Sequence, residues 1–474
     1  MADRLKTYRG KRDFEATPEP AGQGGTAAGE ARFVIQEHHA RRLHWDLRLE
    51  HGGTLASWAL PRGVPDHPDE NRLAVRTEDH PLEYLEFEGE IPAGEYGAGT
   101  MTVWDRGTFA AEKFRDDEVI AVFHGERVRG RYALIRTREK DWLLHRMDPP
   151  ADPGYEPMPD RIEPMLARTG KLPANEADFG FEVKWDGIRA LALCDHGHLL
   201  LQGRNFTDFT AQYPELRALA RELGARRVVL DGEVVAFDEA GRPSFERLQS
   251  RMNLGSDAAV RRRMRDVPVT YVAFDLLYLD GHHTLPLGYE DRRRLLETLE
   301  IEGPAWCTPD YHRGQGAALL DATRRLGVEG VVAKRLAASY EPGRRASAWI
   351  KVKNVNVQDV VIGGWTPGTG GRSGHLGALA VGVMEEGLLI YAGKVGTGFT
   401  QATLATLKRE LEPLRTEGSP FDGRQPPRGT VWVEPRLVAS VEFTEWTRAG
   451  TLRAPSFKGL RPDKDPQDCV REEG

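Results

Sequence analysis

Residues 181–189 read Phe-Glu-Val-Lys-Trp-Asp-Gly-Ile-Arg, and the fold assignment depends on this stretch. An apolar strand ends at Lys184, and Gly187 allows a tight turn directly after it. A deprotonated lysine amine can attack the α-phosphate of ATP, which gives a lysyl-adenylate and free pyrophosphate. Burial and neighbouring cations would lower the pKa of Lys184 toward that task. The motif is short, and a strand-end lysine paired with Asp186 is the alternative interpretation.

Phosphate binding must rest on something other than a P-loop, because no GxxxxGKS/T sequence occurs. The glycine-rich stretches at residues 94–99 and 363–374 match no dinucleotide-binding fingerprint either. Several short motifs follow Lys184 instead: Gly-Arg-Asn at 203–205, Asp-Gly-Glu at 231–233, Phe-Asp-Leu-Leu at 274–277, Glu-Gly-Val-Val-Ala-Lys at 329–334 and Trp-Ile-Lys-Val-Lys at 349–353. Each alone fits a turn, a strand-end acid, a core aromatic or a surface basic pair. Together, in this order, they indicate a nucleotide site.

From about residue 161 onward the chain resembles the ligase module of bacterial end-joining repair ligases, a branch of the ATP-dependent DNA ligases and covalent nucleotidyltransferases. The resemblance implies that Lys184 is the adenylated nucleophile, that Glu182 contacts adenine and that Phe274 stacks on the base. It also implies the following contacts: Arg189 and Glu233 to the ribose and nearby phosphate, Arg204 to the 5′-phosphate of a nick, Glu329 to the metal, and Lys351 and Lys353 to the α-phosphate. The family usually has a small hydroxyl residue where this chain has Gly203.

The stretch from about residue 358 to 474 resembles the OB-fold domain that closes over such ligases. Its last motif, residues 452–464, reads Leu-Arg-Ala-Pro-Ser-Phe-Lys-Gly-Leu-Arg-Pro-Asp-Lys. In the family this motif orients pyrophosphate, so the resemblance assigns that role to Arg461, Asp463 and Lys464. Without the resemblance, the motif is a basic, proline-containing surface tail. A hinge near residues 353–359 would let the domain close for adenylation and reopen on DNA.

Residues 43–50 alternate strictly between apolar and polar side chains, which predicts a strand with two different faces. His44, Asp46 and Arg48 share the polar face, and Gln36 and His38 share a face of the preceding strand. Two histidines and an aspartate on adjacent strands suit Mn²⁺ or a similar ion and leave positions for water and phosphate oxygens. The alternative is a half-buried strand with a solvated polar face.

Residues 8–146 resemble the 3′-phosphoesterase module of the same repair ligases. The matching text is Phe-Val-Ile-Gln-Glu-His at 33–38, Arg-Leu-His-Trp-Asp-Leu-Arg-Leu-Glu at 42–50, Glu-Asp-His-Pro-Leu-Glu-Tyr at 78–84 and Ile-Pro-Ala-Gly-Glu-Tyr-Gly at 91–97. The resemblance implies that His38, His44 and Asp46 bind the metal, that Arg48, His80 and Tyr84 act on the substrate phosphate, and that Arg12, Asp13, Glu19, Gln36, Arg62 and Arg72 support them. The implied activity removes a 3′-terminal ribonucleotide and a 3′-phosphate.

The length of 474 residues predicts about three domains. We expect a small mainly-β phosphoesterase barrel at residues 1–148, a proline-rich linker at 149–160, an α+β, ATP-grasp-like nucleotidyltransferase (adenylation) domain at 161–355 and an OB-fold β-barrel at 356–474. Within these, we predict strands at 179–184, 228–231, 269–277 and 331–334, helices at 208–222 and 291–300, and a hairpin loop at 363–374.

Composition excludes several classes of protein. The chain has 65 Lys and Arg residues and 72 Asp and Glu residues, so its formal net charge is 65 − 72 = −7. Contacts to DNA would therefore need locally basic surfaces such as residues 261–265. Three cysteines without a CxxC pair exclude a disulfide scaffold or a cysteine-based zinc module and fit a reducing cytoplasm. The charged N-terminus and the lack of a run of about 18 apolar residues predict neither a signal peptide nor a membrane span.

The sequence therefore predicts an ATP-dependent DNA ligase that joins a 3′-hydroxyl to a 5′-phosphate in non-homologous end joining and also processes 3′ ends. We expect ATP, Mg²⁺ or Mn²⁺ for ligation, Mn²⁺ for the phosphoesterase, DNA nicks and double-strand ends as substrates, and a cytoplasmic, nucleoid-associated location. A Ku-like protein and a separate polymerase-primase are expected partners, since no residues remain for a polymerase module. The alternatives are an RNA ligase or capping-type nucleotidyltransferase, and a DNA-end-binding scaffold with an inactive phosphoesterase domain.

Overall fold

The computed structural model describes residues 4–22, 30–252, 254, 256–354, 356–368 and 376–472. Three β-rich domains follow one another along the chain, and the predicted fold classes are confirmed: a barrel, a nucleotidyltransferase domain and an OB-fold. None of the described helices has the length and apolarity that a membrane crossing requires.

The first domain is a closed antiparallel barrel. Its elements are α1 Lys6–Arg9, β1 Arg32–His39, β2 Leu43–His51, β3 Thr54–Leu60, β4 Asn71–Arg76, β5 Gly89–Ile91, β6 Gly99–Phe114, β7 Glu118–Gly125, β8 Arg129–Arg136 and β9 Asp141–Arg146. The sheet order is β1-β2-β3-β4-β9-β8-β7-β6-β5, and β1 also pairs with β6, which closes the ring. Closure gives each strand of the ring a partner on both sides, whereas β5 pairs only with β6.

The alternation of β2 puts apolar and polar side chains on opposite faces of the barrel wall. Trp45 and Leu47 belong to the barrel core, as the pattern predicts. The polar face is not solvated, however, because Asp46 is 6% exposed and Arg48 2% exposed. A second apolar cluster that contains Tyr8 and Tyr84 covers this face, so the interpretation as a solvated strand face is wrong.

The second domain contains two sheets that meet at the lysine motif. Its elements are β10 Leu166–Thr169, β11 Phe179–Val183, β12 Ile188–Asp195, β13 His198–Gln202, α2 Arg217–Glu222, β14 Arg227–Ala236, α3 Phe245–Gln249, α4 Asp257–Asp266, β15 Val269–Leu279, β16 His282–His283, α5 Tyr289–Glu297, β17 Glu302–Gly303, β18 Trp306–Cys307, β19 His312–Arg313, α6 Gly316–Arg325, β20 Gly330–Arg335 and β21 Arg345–Lys353. The sheet orders are β10-β21-β20-β11-β19 and β13-β12-β14-β15-β18-β17, with β16 on β15.

The predicted strands of this domain lie within β11, β14, β15 and β20, with Lys184 one residue beyond the end of β11. The predicted helix at residues 208–222 is shorter than expected, because only α2 is α-helical and a 3-10 turn at Pro214–Leu216 precedes it. Pro214 lacks a backbone N–H, so a helix can begin at this residue but not continue through it. The helix predicted at residues 291–300 corresponds to α5.

The third domain is the OB-fold. Its elements are β22 Asn356–Pro367, β23 Leu376–Glu385, β24 Leu388–Val395, α7 Gln401–Leu411, β25 Arg415–Thr416, β26 Val431–Val433, β27 Val438–Phe443 and β28 Ser456–Leu460. The order is β24-β23-β22-β26-β25, with β27 paired to both β22 and β28. Part of the predicted loop, residues 363–367, is strand β22, and residues 369–374 lie outside the described residues. A Cβ at Gly363 would collide with Phe421, so this glycine serves close packing and not a turn.

The barrel contacts the second domain through charged side chains. Arg72 pairs with Asp195 at 3.2 Å, and Arg227 pairs with Glu70 at 2.8 Å. The ring of Trp45 meets His196 edge-on, with centroids 5.2 Å apart. These contacts join residues far apart in sequence and fix the barrel against β12 and β14.

A fully buried ion pair stabilises the second domain. Arg292 of α5 donates to Asp275 of β15 at 2.7 and 3.0 Å, and both side chains are 0% exposed. We expect Arg292→Met to destabilise this domain by about 3–5 kcal/mol, because Asp275 is left as an uncompensated buried charge. Hydrogen exchange of the β15 amides would measure the loss.

The matched control is Arg294→Met, whose side chain is 69% exposed on the same helix. Its effect should stay within about 0.5 kcal/mol. Equal exchange rates of the β15 amides in the two variants would contradict a stabilising role for the Arg292–Asp275 ion pair.

Candidate active sites

A pocket of about 680 Å³ opens between the two sheets of the second domain and is completed by the third. Every residue predicted for nucleotide and nick binding contributes to its lining: Glu182, Lys184, Arg189, Arg204, Glu233, Phe274, Glu329, Lys351, Lys353, Arg461, Asp463 and Lys464. These residues come from strands of both sheets and from the end of the chain. Their convergence is a result of tertiary structure, since they span 283 positions (464 − 182 + 1).

Lys184 lies between β11 of one sheet and β12 of the other. Its backbone N–H donates to the Gly330 carbonyl at 2.9 Å, and its ammonium donates to the Glu329 carboxylate. A Cβ at Gly187 would collide with the carbonyl of Val234, so the turn requires glycine for its close approach to β14. The sequence alone had left a pairing with Asp186 open, and the ammonium pairs with Glu329 instead.

The electrostatics at Lys184 differ from expectation. Burial disfavours its ammonium, but the carboxylates of Glu329, Asp186 and Glu233 outweigh burial, and the pKa of Lys184 is raised. The prediction of a lowered pKa for Lys184 is therefore wrong. Burial raises the pKa of Glu233 to about 7 and that of Asp186 to about 6. The three carboxylates provide oxygen ligands of the kind that Mg²⁺ prefers.

Glu182 anchors the opposite end of the pocket. Its carboxylate is 2% exposed and accepts from Lys334 at 2.9 and 3.0 Å and from the hydroxyl of Tyr289. The ammonium of Lys334 also lies 4.3 Å from the ring centroid of Phe274 and 4.4 Å from that of Trp349. Sequence reasoning missed Lys334 and Trp349 as site residues although both stand in the motifs it singled out.

Arg189 is held rigidly between the two groups of side chains. Its guanidinium makes two 2.6 Å hydrogen bonds to Asp231, which also accepts from the Tyr340 hydroxyl at 2.7 Å. The guanidinium carbon lies 5.0 Å from the Phe274 ring centroid, and Arg189 is paired in register with Glu233 of β14. Such bidentate contacts fix the orientation of an arginine.

The cations at the mouth of the pocket contact carboxylates near the end of the chain. Lys351 and Lys353 bind Glu472 at 2.6 and 2.9 Å, and Arg204 pairs with Asp468 at 3.3 Å. Two further pairs complete the set, Arg461 with Asp463 and Lys464 with Asp359. The third domain is docked onto the second, since Gln249 of α3 donates to the Leu460 carbonyl at 3.0 Å.

A second cluster lies on the polar face of the barrel wall. His38 and His44 are direct partners in the β1–β2 register. One ring nitrogen of each histidine and one carboxylate oxygen of Asp46 all lie within 4.8 Å of one another. The other ring nitrogen of each histidine meets a backbone carbonyl, that of Gly97 at 2.9 Å and that of Arg42 at 3.0 Å. A carbonyl only accepts, so those nitrogens carry protons, and the remaining ring nitrogens face Asp46, with His38 Nδ1 at 3.5 Å and His44 Nε2 at 3.9 Å from its carboxylate. This is the arrangement of metal-ligating histidines.

The charges around Asp46 favour its ionised form. Burial opposes ionisation, but Arg48 and the two histidines hold the pKa of Asp46 well below its usual range. Arg48 donates to Gln36 at 2.7 Å and to Asp46 at 3.1 Å, and one of its terminal nitrogens is buried without a hydrogen-bond partner. A buried donor without a partner is costly unless a ligand accepts from it.

His80 and Tyr84 lie beside Arg48. Burial, with Arg48 and Arg12, lowers the pKa of His80 well below 6.5, so its ring is neutral at pH 7. Its Nδ1 donates to the Glu78 carbonyl at 2.9 Å, which leaves Nε2 to accept from Arg12 at 3.3 Å. The Tyr84 hydroxyl donates to Glu19, and Glu19 binds Arg12 at 2.6 Å.

Other predicted members of this site have contacts elsewhere. Asp13 accepts from the backbone N–H of Glu15, and Arg62 lies in the turn after β3. Arg72 is bound by Glu70 and by Asp195 of the second domain. The sequence missed Glu78, which pairs with Arg12 at 3.1 Å and lies in the quoted motif at 78–84.

Family comparisons cover most of the chain. Residues 36–136 match the model of the DNA ligase D 3′-phosphoesterase domain, residues 164–353 the ATP-dependent DNA ligase domain and residues 372–464 its C-terminal region. The chain is 49% identical over 481 aligned residues to the multifunctional non-homologous end joining DNA repair protein LigD of Mycobacterium tuberculosis, and 37% identical over 530 to LigD of Pseudomonas aeruginosa. These alignments cover 100% and 99% of this chain and 62% of each relative.

A solved structure of mycobacterial DNA ligase D, complexed with ATP and MES, matches with a TM-score of 0.50 and 45% identity. That match covers 66% of this chain and 98% of the solved one. The chain therefore belongs to the ligase D family of ATP-dependent DNA ligases, with a 3′-phosphoesterase domain before its ligase domain.

Proposed function

We propose that this chain seals DNA breaks with ATP and cleans their 3′ ends during non-homologous end joining. The observation that carries the proposal is the position of Lys184, a strand-end amine in a pocket with carboxylates on one side and an array of cations on the other. Sealing requires a 3′-hydroxyl, and the cluster on the barrel would create it. The two sites would thus catalyse successive reactions on the same DNA end.

In the first step the deprotonated Lys184 attacks the α-phosphate of ATP, and pyrophosphate leaves. Glu182 and Phe274 hold the adenine, and Arg189 and Glu233 hold the ribose. The developing charge on the phosphates would be neutralised by Lys351, Lys353, Arg461 and Lys464, with Asp463 orienting Arg461. Phosphoryl transfer depends mainly on such positioning and charge neutralisation.

Glu329 and the neighbouring carboxylates fit a divalent cation, Mg²⁺ or Mn²⁺, by their donor chemistry. Such an ion, when bound, neutralises charge on the reacting phosphate. Glu329 would then interact with the ion as well as with the Lys184 ammonium, which favours release of the lysine proton. AMP passes next to the 5′-phosphate of the nick, held by Arg204, and the 3′-hydroxyl attacks with loss of AMP.

The barrel cluster supports a Mn²⁺-dependent phosphoesterase with His38, His44 and Asp46 as ligands. Bound Mn²⁺ would act as a Lewis acid on the substrate phosphate. The unpaired N–H of Arg48 offers a donor to that phosphate, and the neutral Nε2 of His80 can accept or relay a proton. Gln36 holds Arg48 in place, while Arg12 and Glu19 position His80 and the catalytic hydroxyl of Tyr84.

Asp13 and Arg62 remain proposed substrate contacts on the strength of the resemblance. The partners of Arg72 favour a different role, in which it joins the barrel to the ligase domain. DNA nicks and double-strand ends are the proposed substrates at the nucleoid in the cytoplasm. A Ku-like end-binding protein and a polymerase-primase would be the partners, because the names of the LigD relatives refer to end joining.

Covalent adenylation tests the nucleophile. Nucleotide-free protein incubated with ATP labelled in the α-phosphate should retain the label in denaturing electrophoresis, and Lys184→Ala should reduce it at least about 100-fold because no amine remains to attack. Lys171→Ala, an exposed lysine of the same domain, is the control and should label like wild type. Full labelling of Lys184→Ala would refute the assignment.

Removal of a 3′-phosphate tests the barrel cluster independently of adenylation. His44→Ala should abolish removal of a 3′-phosphate in Mn²⁺ because it deletes a ligand, yet leave adenylation intact; Lys184→Ala should do the reverse. His39→Ala is the matched control, because the side chain of His39 is 44% exposed and pairs with Glu37. Tight DNA binding with no trimming by wild type would support the scaffold alternative, and loss of both activities in either variant would refute independent sites.

Nucleic-acid preference separates DNA ligation from the RNA ligase or capping-type alternative. Nicked DNA duplex should be sealed at least about tenfold faster than nicked RNA duplex of the same sequence, because A-form RNA presents a different groove and backbone geometry. Gel assays with one enzyme preparation measure both rates. A preference for RNA would overturn the proposed substrate.

A further inference from the structure

The segment from Asp468 to Glu472 crosses the mouth of the nucleotide pocket. The carboxylate of Glu472 spans two lysines, with one oxygen 2.6 Å from the ammonium of Lys351 and the other 2.9 Å from that of Lys353. The hydroxyl of Thr169, on β10 of the second domain, donates to the same carboxylate at 3.1 Å. Glu472 therefore occupies the lysines that we assign to the α-phosphate.

The segment is anchored to the third domain and does not reach the pocket by chance. Gln358 of β22 is 1% exposed; its amide nitrogen donates to the Val470 carbonyl at 3.0 Å, and its oxygen accepts from the backbone N–H of Glu472 at 3.0 Å. The carbonyl of Cys469, itself 2% exposed, accepts from the backbone N–H of Met384 at 2.7 Å. These backbone contacts fix where the side chain of Glu472 emerges.

A second carboxylate of the segment reaches a second phosphate site. Asp468 pairs at 3.3 Å with Arg204, the residue assigned to the 5′-phosphate of the nick. Arg204 belongs to the second domain and Asp468 to the third, so this pair forms only while the two domains are docked. One short segment thus places anions at the binding positions of both phosphate substrates.

A carboxylate resembles part of a phosphate group, because its two oxygens accept charge-assisted hydrogen bonds from the same cations. Although burial disfavours its charge, Lys351 and Lys353 hold the pKa of Glu472 well below its usual range, so it is an anion at neutral pH. A phosphate seated on the same two ammonium groups would lie beside this carboxylate, and repulsion between the two anions makes them compete for the lysines.

We propose that residues 468–472 act as an internal competitor that neutralises the phosphate-binding cations until substrates displace it. This inference rests on the assignment of Lys351, Lys353 and Arg204 to phosphates under the proposed function. With Glu472 seated, the two lysines are kept in charge balance, and ATP binds with an apparent affinity reduced by the fraction of molecules in which Glu472 is seated. The Asp468–Arg204 pair likewise opposes binding of the nick until the third domain swings away.

Glu472→Gln tests the competition while keeping the size of the side chain. The apparent dissociation constant for ATP in single-turnover formation of the enzyme–AMP adduct should fall at least about threefold, because the neutral amide holds the lysines less strongly. The maximal rate should stay unchanged. Glu417→Gln, an exposed glutamate of the same domain, is the control and should behave like wild type. Equal or weaker ATP affinity in Glu472→Gln would overturn the proposal.

Hydrogen exchange on the wild-type chain provides a second test that needs no variant. A non-hydrolysable ATP analogue should accelerate exchange of the Glu472 amide, which Gln358 protects in the ligand-free protein. Increased protection would show that the segment closes over the nucleotide, and would overturn competition. Failure of wild type to form any enzyme–AMP would instead refute the proposed function, so the two failures are distinguishable.

Discussion

The connection between two β-sheets at Lys184 is the constraint on which the rest of the ligase site depends. Strand β11 belongs to one sheet and β12 to the other, so the lysine lies where side chains from both sheets converge. Glu329 precedes β20 of the first sheet, and Glu233 lies on β14 of the second. A side chain at this junction can be approached by carboxylates, an aromatic ring and cations at once, which a single sheet face could not provide.

Charge pairing follows from that convergence. Cations gathered in a partly dry pocket are costly unless anions accompany them. The protein meets this need with carboxylates of its own, in the pairs Lys184–Glu329, Arg189–Asp231, Lys334–Glu182, Lys351–Glu472 and Arg204–Asp468. Asp231, for example, is buried and holds Arg189 in a fixed orientation. Those that substrates would replace, such as Glu472, make substrate binding an exchange of anions.

The phosphoesterase cluster uses a simpler design, in which strand register does most of the positioning. Because His38 faces His44 directly across β1 and β2, the lateral spacing of antiparallel strands brings the two rings together. Tyr8 and Tyr84 cover that face, and one terminal nitrogen of Arg48 is buried there without a hydrogen-bond partner. The barrel cluster is built within one sheet, whereas the ligase pocket depends on how a separate domain is docked.

The sequence alone determined the main strands, the faces of β2 and most of the residues that line both sites, because alternation and motif order can be read along the chain. Tertiary structure decided which partner each charge has. The raised pKa of Lys184, the inward position of Lys334 and the pairing of Arg72 with Asp195 all depend on contacts between distant segments. A linear pattern shows on which face a side chain lies, but its electrostatic environment is set by the folded chain opposite it.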